Sequence, residues 1–225
     1  MADVADVYLD TYQRFSALAA GLTYEELATP VKACPGWSAK DTVGHVTGVA
    51  VGLVAGRGGV ADSDSTARQV EDRRPRPIGE VLEEWAGVVD ELVALVRTAG
   101  SGLTAVGIDA WTHEQDVRNS VAHPGGRDAP GMLLTLKAAV SADQKIRAAG
   151  LPPMLLITGE KTWYLGEGAR DGADVVLNLE PYEAARMLLG RRTYAEIAAY
   201  PWQGDSAAYL PLLHQFTVPE TALGE

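Results

Sequence analysis

The chain contains few of the features that mark secreted or membrane-spanning proteins. It has one cysteine, Cys34, among 225 residues, so it forms no internal disulfide and fits a reducing compartment. No apolar run approaches the ~20 residues that span a bilayer. The acidic start, Met-Ala-Asp-Val-Ala-Asp, lacks the pattern of a secretion signal. We therefore expect a cytoplasmic protein that does not insert into a membrane.

Positive charge is also scarce. Asp and Glu number 30 against 19 Lys and Arg, which gives a formal net charge of −11 at pH 7. Because such a charge repels polyanions, neither nucleic acid nor an anionic membrane surface is expected as a partner. A composition of 47% hydrophobic and 22% charged residues is typical of a globular protein with a packed core.

The hydrophobic pattern changes character near Gly150. Apolar residues recur at helical spacing over residues 1–150, which predicts an up-and-down helical bundle. The glycine-rich and then charged stretch 56–77 is predicted to be a long mobile connection within it. Short apolar runs separated by glycines follow at 154–158, 162–165 and 173–179, and helical spacing returns at 181–189, 193–199 and 206–216. Residues 151–225 are thus predicted to form a small α+β domain.

The segment 108–118 carries a polar stripe. As a helix, it places Asp109, His113 and Asp116 at i, i+4 and i+7 on one face. A carboxylate and an imidazole one helical turn apart can bind the same divalent metal ion, as the histidines of a helical HExxH motif do. An exposed polar face without a metal accounts for this segment equally well.

A further histidine could complete such a site. Ser38 and Asp41 form a capping-box pattern, which predicts a helix from about Ala39 to Ala55, with His45 at the margin of its apolar stripe. A lone histidine there is more often a hydrogen-bonded structural residue. If this helix faces the polar stripe, however, His45 completes a two-histidine, one-carboxylate set that keeps coordination positions open. Spacing alone does not show that the two helices face each other.

Two motifs in the first half carry a resemblance to a known family. Cys-Pro-Gly-Trp-Ser at 34–38, which runs into Asp-Thr-Val-Gly-His-Val at 41–46, and His-Glu-Gln-Asp-Val-Arg at 113–118 resemble the mycothiol-dependent maleylpyruvate isomerase family, DinB-like metalloproteins common in actinobacteria. Motifs at 163–166, 173–176, 189–193 and 202–205 resemble its C-terminal domain, which is similar to sterol-carrier proteins. The resemblance implies a DinB-like four-helix bundle followed by a small α+β domain.

The resemblance also implies a set of site residues. Zinc, or another divalent metal, is expected on His45, Asp109 and His113, although Asp109 stands where the family usually has glutamate. Asp116 and Arg118 are expected to support the cofactor site through hydrogen bonds.

Two further positions carry expectations, Arg191 through the resemblance and Cys34 through its surroundings in the sequence. The resemblance implies that Arg191, and less so Arg192, binds the carboxylate of a substrate, and the alternative is a solvated pair at the C-terminus of a helix. Cys34 is expected to be a packing residue rather than a nucleophile, because no histidine partner is identifiable near it.

The implied activity uses a metal-bound thiolate of mycothiol on a small electrophilic, carboxylated or unsaturated substrate, by isomerisation or by thiol transfer. The expected partners are therefore a small molecule and a low-molecular-weight thiol. Two alternatives remain open. One is a metal-free and thiol-free isomerase or cyclase that uses the same cleft, which the aspartate at 109 favours. The other is a non-catalytic module whose C-terminal half binds an apolar ligand.

Overall fold

The computed structural model describes residues 3–57, 63–168 and 173–225. The chain divides into two compact units, one that ends at Leu134 and one that spans Thr135–Glu225. The helices are α1 (Val4–Gly21), α2 (Tyr24–Leu27), α3 (Ala39–Val54), α4 (Ser63–Glu71), α5 (Ile78–Ala99), α6 (Thr104–Ser120), α7 (Pro130–Thr135), α8 (Ala139–Ala148), α9 (Pro181–Leu188) and α10 (Tyr194–Ala198). The strands are β1 (Met154–Thr158), β2 (Lys161–Leu165), β3 (Val175–Leu179) and β4 (Trp202–Gln203).

Four long helices, α1, α3, α5 and α6, pack together as the bundle of the first unit. Helix α3 begins as predicted, because the Ser38 hydroxyl accepts from the Asp41 N–H at 3.1 Å and Asp41 Oδ2 accepts from the Ser38 N–H at 3.1 Å. Helix α1 ends at Gly21, a residue type that commonly ends helices. The predicted fold class, a DinB-like helical unit followed by an α+β unit, is confirmed.

The core of this unit centres on Trp85 of α5, which is fully buried. The edges of Tyr12 and Phe15 pack against its ring, and its indole N–H donates to the Tyr8 hydroxyl at 2.9 Å. By composition and length, the stretch Ile78–Ser120 includes a window apolar enough to cross a membrane. A core helix passes the same test, and here α5 contributes its apolar face to the core.

The predicted mobile connection at 56–77 is wrong over residues 63–71, which form α4. Part of that connection, residues 58–62, lies outside the described residues. Helix α4 packs closely on α3 because Gly48 has no side chain: a Cβ there would lie 2.5 Å from the Cβ of Gln69. Behind it, buried Arg73 pairs with Glu84 at 2.7 Å. The segment is mostly polar, so its hydrophobic spacing does not reveal this helix.

The second unit is built on a sheet of order β2-β1-β3-β4. Strands β1 and β2 form an antiparallel hairpin, β1 and β3 are parallel, and β4 pairs antiparallel to β3. The three predicted strands are confirmed. Helix α8 contacts β2 and falls within this unit, although the sequence placed it with the bundle. The domain boundary near residue 150 stays a prediction.

Two helix predictions near the C-terminal half need correction. The helical spacing that extends to residue 150 predicts one helix over 129–149, but a 3₁₀ turn at Leu136–Ala138 separates α7 from α8. The helix expected over 206–216 is wrong, because the structure has only a 3₁₀ turn at Leu210–Leu212. Pro211 lacks a backbone N–H and its ring clashes with the preceding turn, so an apolar pattern that suits a helix does not continue as one.

Candidate metal centre

Helices α3 and α6 pack against each other and bring three side chains together. Nε2 of His45 and Nε2 of His113 each lie 3.5 Å from Oδ1 of Asp109. The two imidazoles meet edge to face, with ring centroids 5.0 Å apart. Only 3% of His45 and 8% of His113 is exposed, so the group lies inside the bundle. The structure thus joins two helices that the sequence could place only separately.

The separations within this group fit metal ligands better than hydrogen bonds. A distance of 3.5 Å exceeds the roughly 2.7–3.2 Å of an ordinary N–H···O bond. Two ligands that each bind zinc at about 2.0–2.1 Å in tetrahedral geometry are about 3.3–3.4 Å apart. The three donor atoms all lie within 4.8 Å of one another. One divalent ion could therefore contact all three after only a small adjustment.

Two buried atoms of the group have no hydrogen-bond partner: Oδ2 of Asp109 and Nδ1 of His45. A buried, unpaired carboxylate oxygen is energetically costly, and a bound cation would remove that cost for Asp109. The aspartate at this position also reaches both imidazoles despite its shorter side chain. The residues present therefore fit a divalent metal, and the feature that favoured a metal-free alternative carries less weight.

The charges around Asp109 and His113 shift the pKa values of both groups. Burial acts to raise the pKa of Asp109, but the neighbouring His45 and His113 outweigh it and hold that pKa well below its ordinary value. Burial acts to lower the pKa of His113, whereas Cys34, Asp109 and Asp116 together raise that pKa well above its ordinary value. Both shifts favour an ionised Asp109 beside a protonated His113, so a metal ion competes with a proton for the imidazole.

A second layer of contacts orients the imidazoles. Nδ1 of His113 lies 3.1 Å from Oδ2 of Asp116, whose side chain is fully buried. A carboxylate that holds one ring nitrogen of histidine fixes the tautomer and aims the other nitrogen at the metal. The ring of Trp37 packs over both imidazoles, with centroids 4.9 Å from His45 and 6.1 Å from His113. Asp116 therefore stands where the predicted supporting role would act.

The family is settled by comparison of the sequence with known domains. A model described as the mycothiol maleylpyruvate isomerase N-terminal domain matches residues 9–124, just over half of the chain, including α3 and α6. The chain belongs to this family.

Solved structures agree with this assignment at the level of the fold. The crystal structure of the mycothiol-dependent maleylpyruvate isomerase matches with 13% identity and a TM-score of 0.52, over 84% of this chain and 88% of that one. The structure of a mutant of that isomerase, with a histidine replaced by alanine, matches with 12% identity and a TM-score of 0.52, over 83% and 88% of the two chains. No curated protein matches the chain.

Cys34 has partners that sequence reasoning missed in this family member. Its Sγ lies 3.6 Å from Nδ1 of His113 and 3.7 Å from Oδ2 of Asp116. The expectation that no histidine lies near this cysteine is therefore wrong. The two residues are 79 positions apart, so only the packing of the loop before α3 against α6 reveals the contact. The one signal available was the position of Cys34 in the turn that precedes the helix of His45.

Arg118 lies in a separate polar network on α6. Its Nε donates to Glu114 at 2.9 Å and its Nη1 donates to the carbonyl of His123 at 3.3 Å. Glu114 also accepts from Arg14, at 3.1 and 2.9 Å. These contacts hold the loop that follows α6 and do not include the donor atoms of the metal group. A cofactor-binding role for Arg118 stays a prediction.

Arg191 lies in the second unit. Its Nη1 donates to the carbonyl of Leu189 at 2.9 Å, at the C-terminal end of α9. That contact corresponds to the alternative foreseen for this arginine, an interaction with the last carbonyls of a helix. Arg192 is buried and pairs with Glu183 at 2.6 Å and with Glu225 at 2.7 Å. Recognition of a carboxylate by Arg191 stays a prediction.

Proposed function

We propose that this protein is a metal-dependent enzyme that uses a low-molecular-weight thiol, mycothiol or a close equivalent, on a small electrophilic substrate. The observation that carries the proposal is the convergence of His45, Asp109 and His113, with two buried polar atoms of the group left without partners. Membership of the mycothiol maleylpyruvate isomerase family supports the choice of thiol. Reduced thiols are abundant in the cytoplasm, where we propose that the protein acts.

A bound divalent metal would supply one kind of chemistry here, the conversion of a thiol to a thiolate at neutral pH. The protein supplies the rest. His45, Asp109 and His113 would hold the ion, and three protein ligands leave a position free for the thiol. Asp116 keeps Nδ1 of His113 occupied so that Nε2 faces Asp109. Trp37 covers both imidazoles and limits their contact with water.

The thiolate would act as a nucleophile toward the substrate. Addition of the sulfur to an activated cis double bond leaves a single bond that can rotate, and expulsion of the same sulfur returns the trans alkene and the thiol unchanged. Transfer of the thiol would instead displace a leaving group or open an electrophile. We propose that Arg191 binds a carboxylate of the substrate, since a guanidinium can make two parallel hydrogen bonds to it.

The decisive experiment is elemental analysis of protein purified without chelators. We expect a near-stoichiometric divalent metal in the unchanged protein and its loss in His113→Ala. The matched control is His123→Ala, which removes a half-exposed histidine that pairs with Glu26 and should leave the metal content unchanged. Absence of metal from a folded protein that has not been exposed to a chelator would refute the proposal.

A second measurement separates the two reaction types. The metal-loaded protein is given mycothiol with maleylpyruvate, and separately mycothiol with an electrophile that has a leaving group. Isomerisation returns the thiol, whereas transfer consumes it in proportion to product. Activity that does not change when the thiol is left out would contradict the proposed cosubstrate.

A further inference from the structure

A second cluster of metal-ligating atoms lies on the opposite side of the imidazole of His113. Sγ of Cys34, Nδ1 of His113 and Oδ2 of Asp116 face one another, with separations of 3.6, 3.7 and 3.1 Å. Their exposed fractions are 8%, 8% and 1%. These are nucleophilic and titratable groups, and the first metal group uses only Nε2 of His113.

Hydrogen bonding accounts for only part of this arrangement. The 3.1 Å contact between His113 and Asp116 is a normal hydrogen bond. The thiol can donate its one proton to Oδ2 at 3.7 Å, and its sulfur is only a weak acceptor for the N–H of Nδ1 at 3.6 Å, which already donates to Asp116. Around a tetrahedral zinc ion with Zn–S of about 2.3 Å and Zn–N or Zn–O of about 2.0–2.2 Å, sulfur lies about 3.6 Å from each other ligand. The two sulfur distances agree with that geometry.

We propose that Cys34, His113 through Nδ1, and Asp116 form a second metal site that takes a thiophilic divalent ion such as Zn²⁺ or Cd²⁺. A thiolate, an imidazole and a carboxylate are the donors that such ions prefer, and the soft sulfur selects against magnesium and calcium. Binding removes the proton of the Cys34 thiol and the proton shared between Nδ1 and Asp116, and both leave to solvent.

The loop that carries Cys34 presents its sulfur in a fixed position close to the surface. The backbone N–H of Cys34 donates to the carbonyl of Val31 at 2.9 Å, and the N–H of Trp37 donates to the carbonyl of Cys34 at 3.0 Å. Pro35 and Gly36, which follow directly, are exposed. The sulfur is therefore already held in place beside residues that solvent reaches.

Filling this site affects the first one. Nδ1 of His113 cannot donate to Asp116 and coordinate an ion at the same time. An ion on the second site therefore removes the hydrogen bond that aims Nε2 at Asp109. A thiophilic ion in excess would loosen the first site through the shared ring. The second site itself does not depend on the proposed thiol chemistry.

The test is a titration of the full chain with Cd²⁺, followed by the ultraviolet charge-transfer absorbance of cadmium–thiolate bonds. Cys34 is the only cysteine in the sequence, so any such band reports on this residue alone. We expect a band that saturates with cadmium in the unchanged protein and is absent in Cys34→Ser. Circular dichroism checks that both proteins are folded. Absence of the band in the folded, unchanged protein would overturn the site.

Two more variants show whether the sulfur acts with its neighbours. Asp116→Asn should weaken the cadmium affinity read from the band by about tenfold or more, because it replaces a ligand and loss even of a carboxylate that only supports a ligand costs about 10–100-fold. His45→Ala removes a ligand of the first group only and should leave that affinity unchanged. If Asp116→Asn binds cadmium as tightly as the unchanged protein, Cys34 binds cadmium as an isolated thiol. If His45→Ala loses the cadmium band, Cys34 is a ligand of the first ion. Either result refutes the second site. The expected outcome is that His45→Ala keeps the cadmium band but loses zinc. If the unchanged protein shows the cadmium band but binds no zinc at the first group, the proposed function is refuted and the second site is not.

Discussion

Two polar clusters on adjacent faces of α6 differ in how fully their atoms are paired. Glu114 is completely buried, yet it accepts hydrogen bonds from Arg14 and Arg118 at 2.9–3.1 Å. One residue earlier, His113 belongs to the group in which Oδ2 of Asp109 has no hydrogen-bond partner. In that group, Nε2 of each imidazole lies 3.5 Å from Oδ1 of Asp109. Both clusters are buried in the same helix. Complete pairing marks a structural network, whereas unpaired donors and acceptors held at ligand distances mark a binding site.

The largest expected effect comes from a substitution that disrupts the paired cluster around Glu114. Glu114→Gln leaves Arg14 and Arg118 without their shared charge, and loss of one partner of a buried ion pair costs about 3 kcal/mol of unfolding free energy. Urea denaturation should show this loss, while Glu91→Gln on the exposed face of α5 should show almost none. Metal content per folded molecule should be unchanged. Equal stability of the two variants would mean that Glu114 is not the structural centre assigned to it.

The unpaired cluster should respond to metal rather than to denaturant alone. Zinc at about 100 times its dissociation constant stabilises a protein that binds it only when folded by about 2.7 kcal/mol. In a Cys34→Ser background, which lacks the sulfur of the second site, Asp109→Asn should lose this increment, whereas the exposed Asp128→Asn should keep it. Unfolding measured with and without added zinc gives the comparison. An increment that survives in Asp109→Asn would remove this carboxylate from the ligand set.

A smaller effect tests the carboxylate behind His113. Asp116→Asn keeps the shape of the side chain but weakens its hold on Nδ1. The zinc affinity of the first group should fall about tenfold, or 1.4 kcal/mol. A competition titration against a chromophoric chelator measures it in a Cys34→Ser background, with Asp128→Asn again as the control. Unaltered zinc affinity in Asp116→Asn would argue against the orienting role of this residue.

The smallest expected effect tests how closely the loop at Gly126 packs against the paired cluster around Glu114. Gly126 has φ +66°, and a Cβ there would lie 3.1 Å from Arg14 Nε and from Glu114 Oε1. Gly126→Ala should cost about 1 kcal/mol of unfolding free energy, because other residues rarely adopt this conformation. Gly87→Ala in α5 meets no atom within 4 Å and should instead stabilise slightly. If both variants shift stability in the same direction, the fit of the loop against this network is not tight.

Local signals in the sequence were enough for the helices that carry the site, but not for their arrangement. The capping box at Ser38 predicts where α3 begins, and the spacing of Asp109 and His113 predicts that they share a face of α6. That the two helices meet depends on long-range packing, which no local pattern encodes. The partner of Cys34 was missed for the same reason. Helix α4 was missed because its packing, and that of Arg73 just after it, relies on absent side chains at Gly48 and Gly44 respectively, rather than on an apolar stripe.

These glycines have a consequence for the ligand that α3 carries. Each glycine inside a helix costs about 1 kcal/mol relative to alanine, and Gly44 and Gly48 stand on either side of His45. The isolated segment would therefore form a helix only weakly, and packing against α4, α5 and α6 stabilises α3 as a helix. Local opening of α4 would expose the amides of α3 to hydrogen exchange and release His45 in the same event. An ion shared by α3 and α6 should slow exchange at amides of both helices, far beyond the three residues that touch it.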